Sequence, residues 1–258
     1  MKKRLCRIIT CLLALALCFS SCFVLISCEK KQNGDPAATN GIDESPNAES
    51  AREEYAKNEA RYKAFAEKVR EYEEKYGEGK YVTVDEYFRY TAGLAFIKLV
   101  DFKGNGTKDL LLAYNTNPDE IVESGYADYK FEIWGFENEK TVLLDEGGLF
   151  GSDGGVTNVL LNKRDDKWYL ITGSADSFGD FSYHGYSEKG FGIVQTIAYD
   201  EFGDGDVGLI DGKEVPMNEV NKEIDAWGES EYSKNFMFDG REILKANQTT
   251  KNQLQGKV

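Results

Sequence analysis

Cysteine is missing from everything beyond residue 28. The five that exist, Cys6, Cys11, Cys18, Cys22 and Cys28, all fall in the first 28 of 258 residues. Disulfides, thiolate zinc sites and a cysteine nucleophile are therefore excluded from the folded part. Histidine is nearly as scarce, His184 being the only one. It follows Ser174, Asp176, Ser177 and Asp180, residue types from which a serine–histidine–aspartate triad can be built. Triads are defined by geometry, and no nucleophile elbow accompanies these residues, so a structural or surface histidine is the expectation. The glycine-rich residues 147–155 lack the Gly-Lys-Ser/Thr ending and following helix of a phosphate loop and read as turn glycines. Positive charge is short as well: 31 Lys and Arg stand against 45 Asp and Glu, a formal net charge of −14. With no basic patch to offset it, such a surface repels phosphate backbones, and nucleic acid is excluded as a partner.

What basic charge there is opens the chain. Lys2, Lys3, Arg4 and Arg7 precede an apolar run over residues 8–26, the order of a secretory signal peptide, with an uncleaved membrane anchor as the alternative. Leu25, Ile26 and Ser27 before Cys28 resemble the lipobox of bacterial lipoproteins, which implies that Cys28 is acylated and becomes the mature N-terminus. Cys22, behind Phe19, fits less well. Removal of residues 1–27 takes four positive charges and leaves −18. Residues 28–50 then form the lipidated cysteine and a disordered tether, too poor in large apolar residues to fold. Residues 51–247 are expected to make a single globular domain, and residues 248–258 a frayed polar tail.

Inside the domain, Tyr55, Tyr62, Phe65, Ala66, Val69, Tyr72 and Tyr76 recur at helical spacing, which predicts an amphipathic helix ended by Gly77 and Gly79. Its tyrosine stripe is expected to pack on the domain rather than to meet a partner. Thr83 and Glu86 suggest a capping box for a short helix through Tyr90. From Leu94 onward the pattern is one of hairpins: residues 94–100 with 110–114, 129–137 with 141–144, 156–161 with 168–172, 181–186 with 192–199, and 207–210 with 213–215 across Asp211-Gly212. Asn218 is placed to cap a helix through Trp227. The expected fold is α+β and mostly antiparallel β: a curled sheet of hairpins with an N-terminal amphipathic helix and a C-terminal helix.

The most distinctive stretch is the loop inside residues 94–115. Asp101, Lys103, Asn105 and Asp109 occupy positions 1, 3, 5 and 9 of a calcium-loop spacing, with Gly106 at the sixth. This segment resembles the Asp-rich D-x-D-x-D-G-x-x-D-L-L-L loop of FG-GAP and VCBS-type repeats. It is also similar to Gram-positive surface lipoproteins that carry one such loop between two strands, and residues 212–227 are similar to the strand and helix that close those domains. FG-GAP repeats build propellers, but about ten strands are legible here and a small propeller needs about sixteen, so a full propeller is not expected. The resemblance implies a metal site on Asp101, Asn105 and Asp109. Lys103, however, stands where an oxygen ligand belongs. Either its ammonium takes the ion's place, bonded to Asp101, Asn105 or Asp109, or it swings out and leaves a weak calcium site. The metal-free arrangement is the expectation, with no other cofactor. Asp200, Asp204 and Asp206 read as a solvated turn, since Phe202 breaks the ligand spacing.

The many acidic residues would permit a two-carboxylate glycosidase, and Trp134, Trp168 and the tyrosines would permit sugar stacking, but neither reading selects particular residues. The expected function is that of a membrane-anchored extracytoplasmic lipoprotein, a non-catalytic binding or structural accessory module for a protein or glycan of the cell envelope. An extracytoplasmic hydrolase acting on glycan or peptidoglycan is the alternative.

Overall fold

The computed structural model describes residues 48–84, 86, 88–117, 127–152, 156–175, 178–200 and 207–257. The signal segment, Cys28 and most of the tether lie outside these residues, as do Asp176, Ser177, Phe202, Asp204 and Asp206. Pro46–Val258 is one compact unit. Among the described residues no helix is long and apolar enough to cross a membrane.

The tyrosine-striped helix, α1 (Ala48–Tyr76), forms as its periodicity predicts. It bends at Asn58, whose backbone leaves helical geometry while its side-chain amide donates to the Glu54 carbonyl at 3.0 Å. A short polar side chain that competes for backbone partners is a usual cause of such a bend. Tyr62, Phe65, Val69 and Tyr72 are buried, so the stripe packs on the domain.

Behind α1 come a two-stranded ribbon, β1 (Lys80–Thr83) and β2 (Arg89–Ala92), and a four-stranded sheet in chain order. The latter consists of β3 (Leu94–Val100), β4 (Asp109–Asn115), β5 (Tyr129–Glu137) and β6 (Lys140–Gly148). A helix through Tyr90 is therefore a misreading: Arg89 and Tyr90 pair with Thr83 and Val82. The β-branched and aromatic Tyr81, Val82, Tyr90 and Thr91 favour the ribbon over the local capping signal.

An eight-stranded sheet follows, built from β7 (Phe150–Ser152), β8 (Val156–Arg164), β9 (Lys167–Ala175), β10 (Phe178–Ser187), β11 (Gly190–Asp200), β12 (Val207–Ile210), β13 (Lys213–Pro216) and β14 (Tyr232–Asn235). Its spatial order is 13-12-11-10-9-7-8-14, and β8 also pairs with β9. Two-residue turns with positive φ at both positions, Asn138-Glu139, Asp165-Asp166 and Asp211-Gly212, close three hairpins. These turns match the right-handed twist of their strands. Every hairpin read from the sequence forms, and the fold is α+β and mostly antiparallel, with neither barrel nor propeller among the described residues. Two of these hairpins build the four-stranded sheet and three belong to the eight-stranded one, with the β1–β2 ribbon a third sheet.

Strand alternation sets the layers. On β4, Leu110, Leu112 and Tyr114 meet α1, while Leu111 and Ala113 face the core shared with the eight-stranded sheet. On β9 and β10, Leu170 points into that shared core, and Tyr169, Ile171 and Tyr183 point away from it onto α2 (Met217–Trp227). The order is helix, four-stranded sheet, eight-stranded sheet, helix. Pro216, not Asn218, occupies the N-cap of α2 with φ −60°, and a pre-set φ at a helix start accounts for the displacement.

The expected frayed tail is also corrected. Residues 248–254 belong to α3 (Gly240–Leu254), in which Asn247, Thr250 and Leu254 are buried. Asn247, 3% exposed, accepts from the Ile97 amide at 2.8 Å and donates to the Ala95 carbonyl at 2.9 Å. One side chain thus serves the free edge of β3 as a further strand would, which protects that edge. Composition alone marks such a segment as polar; its partners lie about 150 residues away in sequence, and only the fold brings them together.

Candidate functional site

The Asp-rich loop joins β3 to β4, and its geometry is that of a tight turn around Asp101. One carboxylate oxygen accepts from the Asn105 amide at 3.2 Å and the other from the Gly106 amide at 2.7 Å, while the Asn105 side chain accepts from the Thr107 amide at 2.9 Å. Gly106 has φ +81°, which a side chain would resist. Lys103 does not take an ion's place among the oxygens. Its ammonium lies 4.4 Å from the centroid of the Tyr186 ring, a cation–π contact with β10. Asp109 opens β4 opposite Val100 and is 2% exposed, with Oδ2 buried and lacking any hydrogen-bond partner. Burial pushes its carboxyl up to about 6, while Lys103, Arg61 and the Tyr186 hydroxyl pull it down by less. Asp101 and Asn105 therefore face the loop's own amides and Asp109 is sunk beneath them. Among the described residues no group of three or more His, Cys, Asp or Glu is arranged to hold a metal ion.

His184 lies where the two large sheets meet, and its partners are ones the sequence did not suggest. Nδ1 is 2.7 Å from Asp145 Oδ2 and Nε2 is 2.8 Å from Thr172 Oγ1. A carboxylate at Nδ1 keeps the proton there, so Nε2 accepts from the threonine hydroxyl. This is the hydrogen-bond order of nucleophile, base and orienting acid. Asp145 is turned inward by an irregularity in β6. Ile133 pairs with Asp145 but Trp134 with Leu143, so Leu144 is an extra residue in the ladder. No local pattern announces a bulge that carries an aspartate across to another sheet. Thr172 and His184 are only 7% and 6% exposed, and the Phe131 ring stands edge-on to the imidazole at 5.3 Å. A nucleophile also needs open space for a reacting carbonyl, so the arrangement as it stands is a clasp between sheets.

A third buried polar group, Glu132 on β5, is saturated. It accepts from the Tyr114 hydroxyl at 2.8 Å, the Trp134 indole at 2.9 Å and the Tyr72 hydroxyl of α1. Desolvation, followed by the carboxylate, raises both phenols well above their usual range. Two of α1's tyrosines therefore act structurally, Tyr72 through this bond and Tyr76 by stacking on Tyr114 at 4.2 Å.

The comparisons with known proteins add no assignment. The chain matches no protein family, no curated protein and no solved structure.

Among the described residues, one face of the wider sheet remains open. The four-stranded sheet ends at β6, which packs on β11 and whose Asp145 reaches His184 on β10, and β12 and β13 extend beyond it. On the α2 side of these strands, Ile197 and Val220 are fully buried and Val215 packs against them. The opposite side carries Ala198, Val207 and Leu209, the last two 44% and 42% exposed. The register aligns Asp180 with Ala198, Ala198 with Leu209 and Leu209 with Glu214. Two apolar residues thus lie between two exposed carboxylates in a single row across four strands. These residues line a groove of about 400 Å³.

Proposed function

We propose that this chain is a lipid-anchored module of the extracytoplasmic membrane face, a non-catalytic binding or structural accessory of the cell envelope held at Cys28. The anchor rests on the lipobox-like Leu25, Ile26, Ser27 and Cys28. The observation that carries the binding role is the uncovered face of β10–β13, where Val207 and Leu209 present apolar surface that neither the four-stranded sheet nor α2 covers. Exposed apolar side chains gathered in one groove are a usual mark of an interaction surface. The calcium-loop likeness of residues 101–109 enters as a stabilising turn.

The full chain, expressed in a bacterial host with lipoprotein processing, provides the test. Mass spectrometry should find a mature N-terminus at an acylated Cys28, and Cys28→Ala should release the protein from the membrane fraction. Capture of a solubilised envelope component should fall at least tenfold in Leu209→Lys. An unacylated Cys28, or capture indifferent to Leu209→Lys, would count against the respective half of the proposal.

One observation favours a hydrolase as second reading, namely the Thr172–His184–Asp145 chain. Hydrolysis of a glycan or peptidoglycan substrate that disappears in Thr172→Val, with folding retained, would establish it.

A further inference from the structure

We infer that the open groove takes an extended polypeptide segment with two cationic side chains four residues apart and an aliphatic one midway between them. The inference rests on the binding role just proposed and specifies its partner. Asp180 and Glu214 end the row that Ala198 and Leu209 fill, three strand spacings apart, or roughly 14 Å. An extended chain advances about 3.4 Å per residue and sends alternate side chains to one face, so residues i and i+4 stand about 14 Å apart with i+2 between them. A Lys-x-Leu-x-Lys segment laid across the strands sets its cations on the two carboxylates and its leucine between Ala198 and Leu209.

Charge selects this occupant. Among the described residues neither Asp180 nor Glu214 has an ion-pair partner. The chain as a whole, at −14, draws cations toward its surface. A neutral glycan is a poorer fit, since sugar binding favours a flat aromatic face and Tyr199, although it lines the groove, has its ring stacked on Phe181 and packed with the α2 side of the sheet. A second copy of this chain would bring the same acidic rim against itself, and like charges oppose that approach.

The test uses the full lipidated chain in nonionic detergent and a labelled peptide, acetyl-Gly-Lys-Ser-Leu-Ser-Lys-Gly-amide. A composition-matched permutation with the two lysines adjacent serves as control, and binding is read by fluorescence anisotropy. The spaced peptide should bind at least fivefold more tightly than the permutation. The pair Asp180→Asn with Glu214→Gln should remove that preference, and added salt should weaken binding. Leu209→Lys should abolish it. All of these positions are solvent-exposed, so the variants keep their fold, and matching melting curves verify this. Equal affinity for both peptides, or a preference that survives loss of both carboxylates, overturns the inference. So does a concentration-dependent dimer that Leu209→Lys dissolves, which would make a second copy the occupant. If the peptides fail while Leu209→Lys still cuts capture of the envelope component, only the cationic partner is wrong. If Leu209→Lys leaves capture intact, the binding role falls with it.

Discussion

Asp109 is a buried carboxylate with an unpartnered oxygen, and Asp109→Asn should make the protein more stable at neutral pH. Burial raises its carboxyl from 3.8 to about 6. Between those values the folded state keeps a proton that the unfolded chain has released. The stability associated with that proton is complete below about pH 3.8 and is lost as pH climbs through 6. A shift of about 2 pH units at about 1.36 kcal/mol each sets a ceiling of about 3 kcal/mol for the cost of ionising Asp109 in place. Asparagine has nearly the same shape and never carries that charge. The variant should match the natural protein near pH 4 and exceed it by about 2–3 kcal/mol at pH 7.5, roughly 4–12 °C in melting temperature for a domain of this size. Denaturant unfolding of both proteins at pH 4, 5, 6 and 7.5, with a chelator to remove stray cations, measures the difference at each pH. Other titrating groups cancel in that difference. A gap that stays constant across the series, or a variant less stable at pH 7.5, would refute the burial argument.

Three further outcomes follow from the same contacts. Replacing Lys103 with Asp adds an anionic oxygen beside Asp101 and removes a positive charge. The variant should show a calcium-dependent rise in melting temperature that the natural protein lacks at millimolar calcium, and a strong rise in the natural protein would overturn the metal-free expectation. Asn247→Ala leaves the Ile97 amide and the Ala95 carbonyl buried without partners, at about 1–3 kcal/mol each, so urea unfolding should show a loss of about 2–5 kcal/mol. Glu132→Gln presents an amide nitrogen to hydroxyl and indole donors and should cost about 2–3 kcal/mol, with hydrogen exchange faster in α1 than in α3.

Local pattern was enough for α1 and for the strands of the five hairpins it marked, β3–β6 and β8–β13, because each depends on neighbours within a few residues, whereas β1, β2, β7 and β14 were not read from it. The alternation of residues 129–137 and the Asp-Gly of the β12–β13 turn state their structure without help. The same locality makes the Asp101 loop legible, since its bonds run from Asp101 only as far as Asn105 and Gly106. It also explains the error at residues 83–90, where a capping signal outweighed the pairing of Val82 with Tyr90.

Everything that could act on another molecule was decided by tertiary structure. The sequence set Ser174, Asp176, Ser177 and Asp180 beside His184, yet the imidazole turned instead to Thr172 and to Asp145, 39 residues upstream on another sheet. Lys103 left the loop oxygens for the ring of Tyr186, which lies on a strand that no spacing rule connects to it. Asp180, Ala198, Leu209 and Glu214 are scattered over 35 residues and become a row only when four strands align in register. Short-range preferences act through the backbone and are written locally, whereas register, a bulge and the reach of one sheet past another follow from how whole layers fill the core. The chain by itself therefore determined α1, five of its hairpins, its charge and the lipobox-like Cys28, and the packing of its sheets decided which side chains were buried in pairs and which were left facing outward.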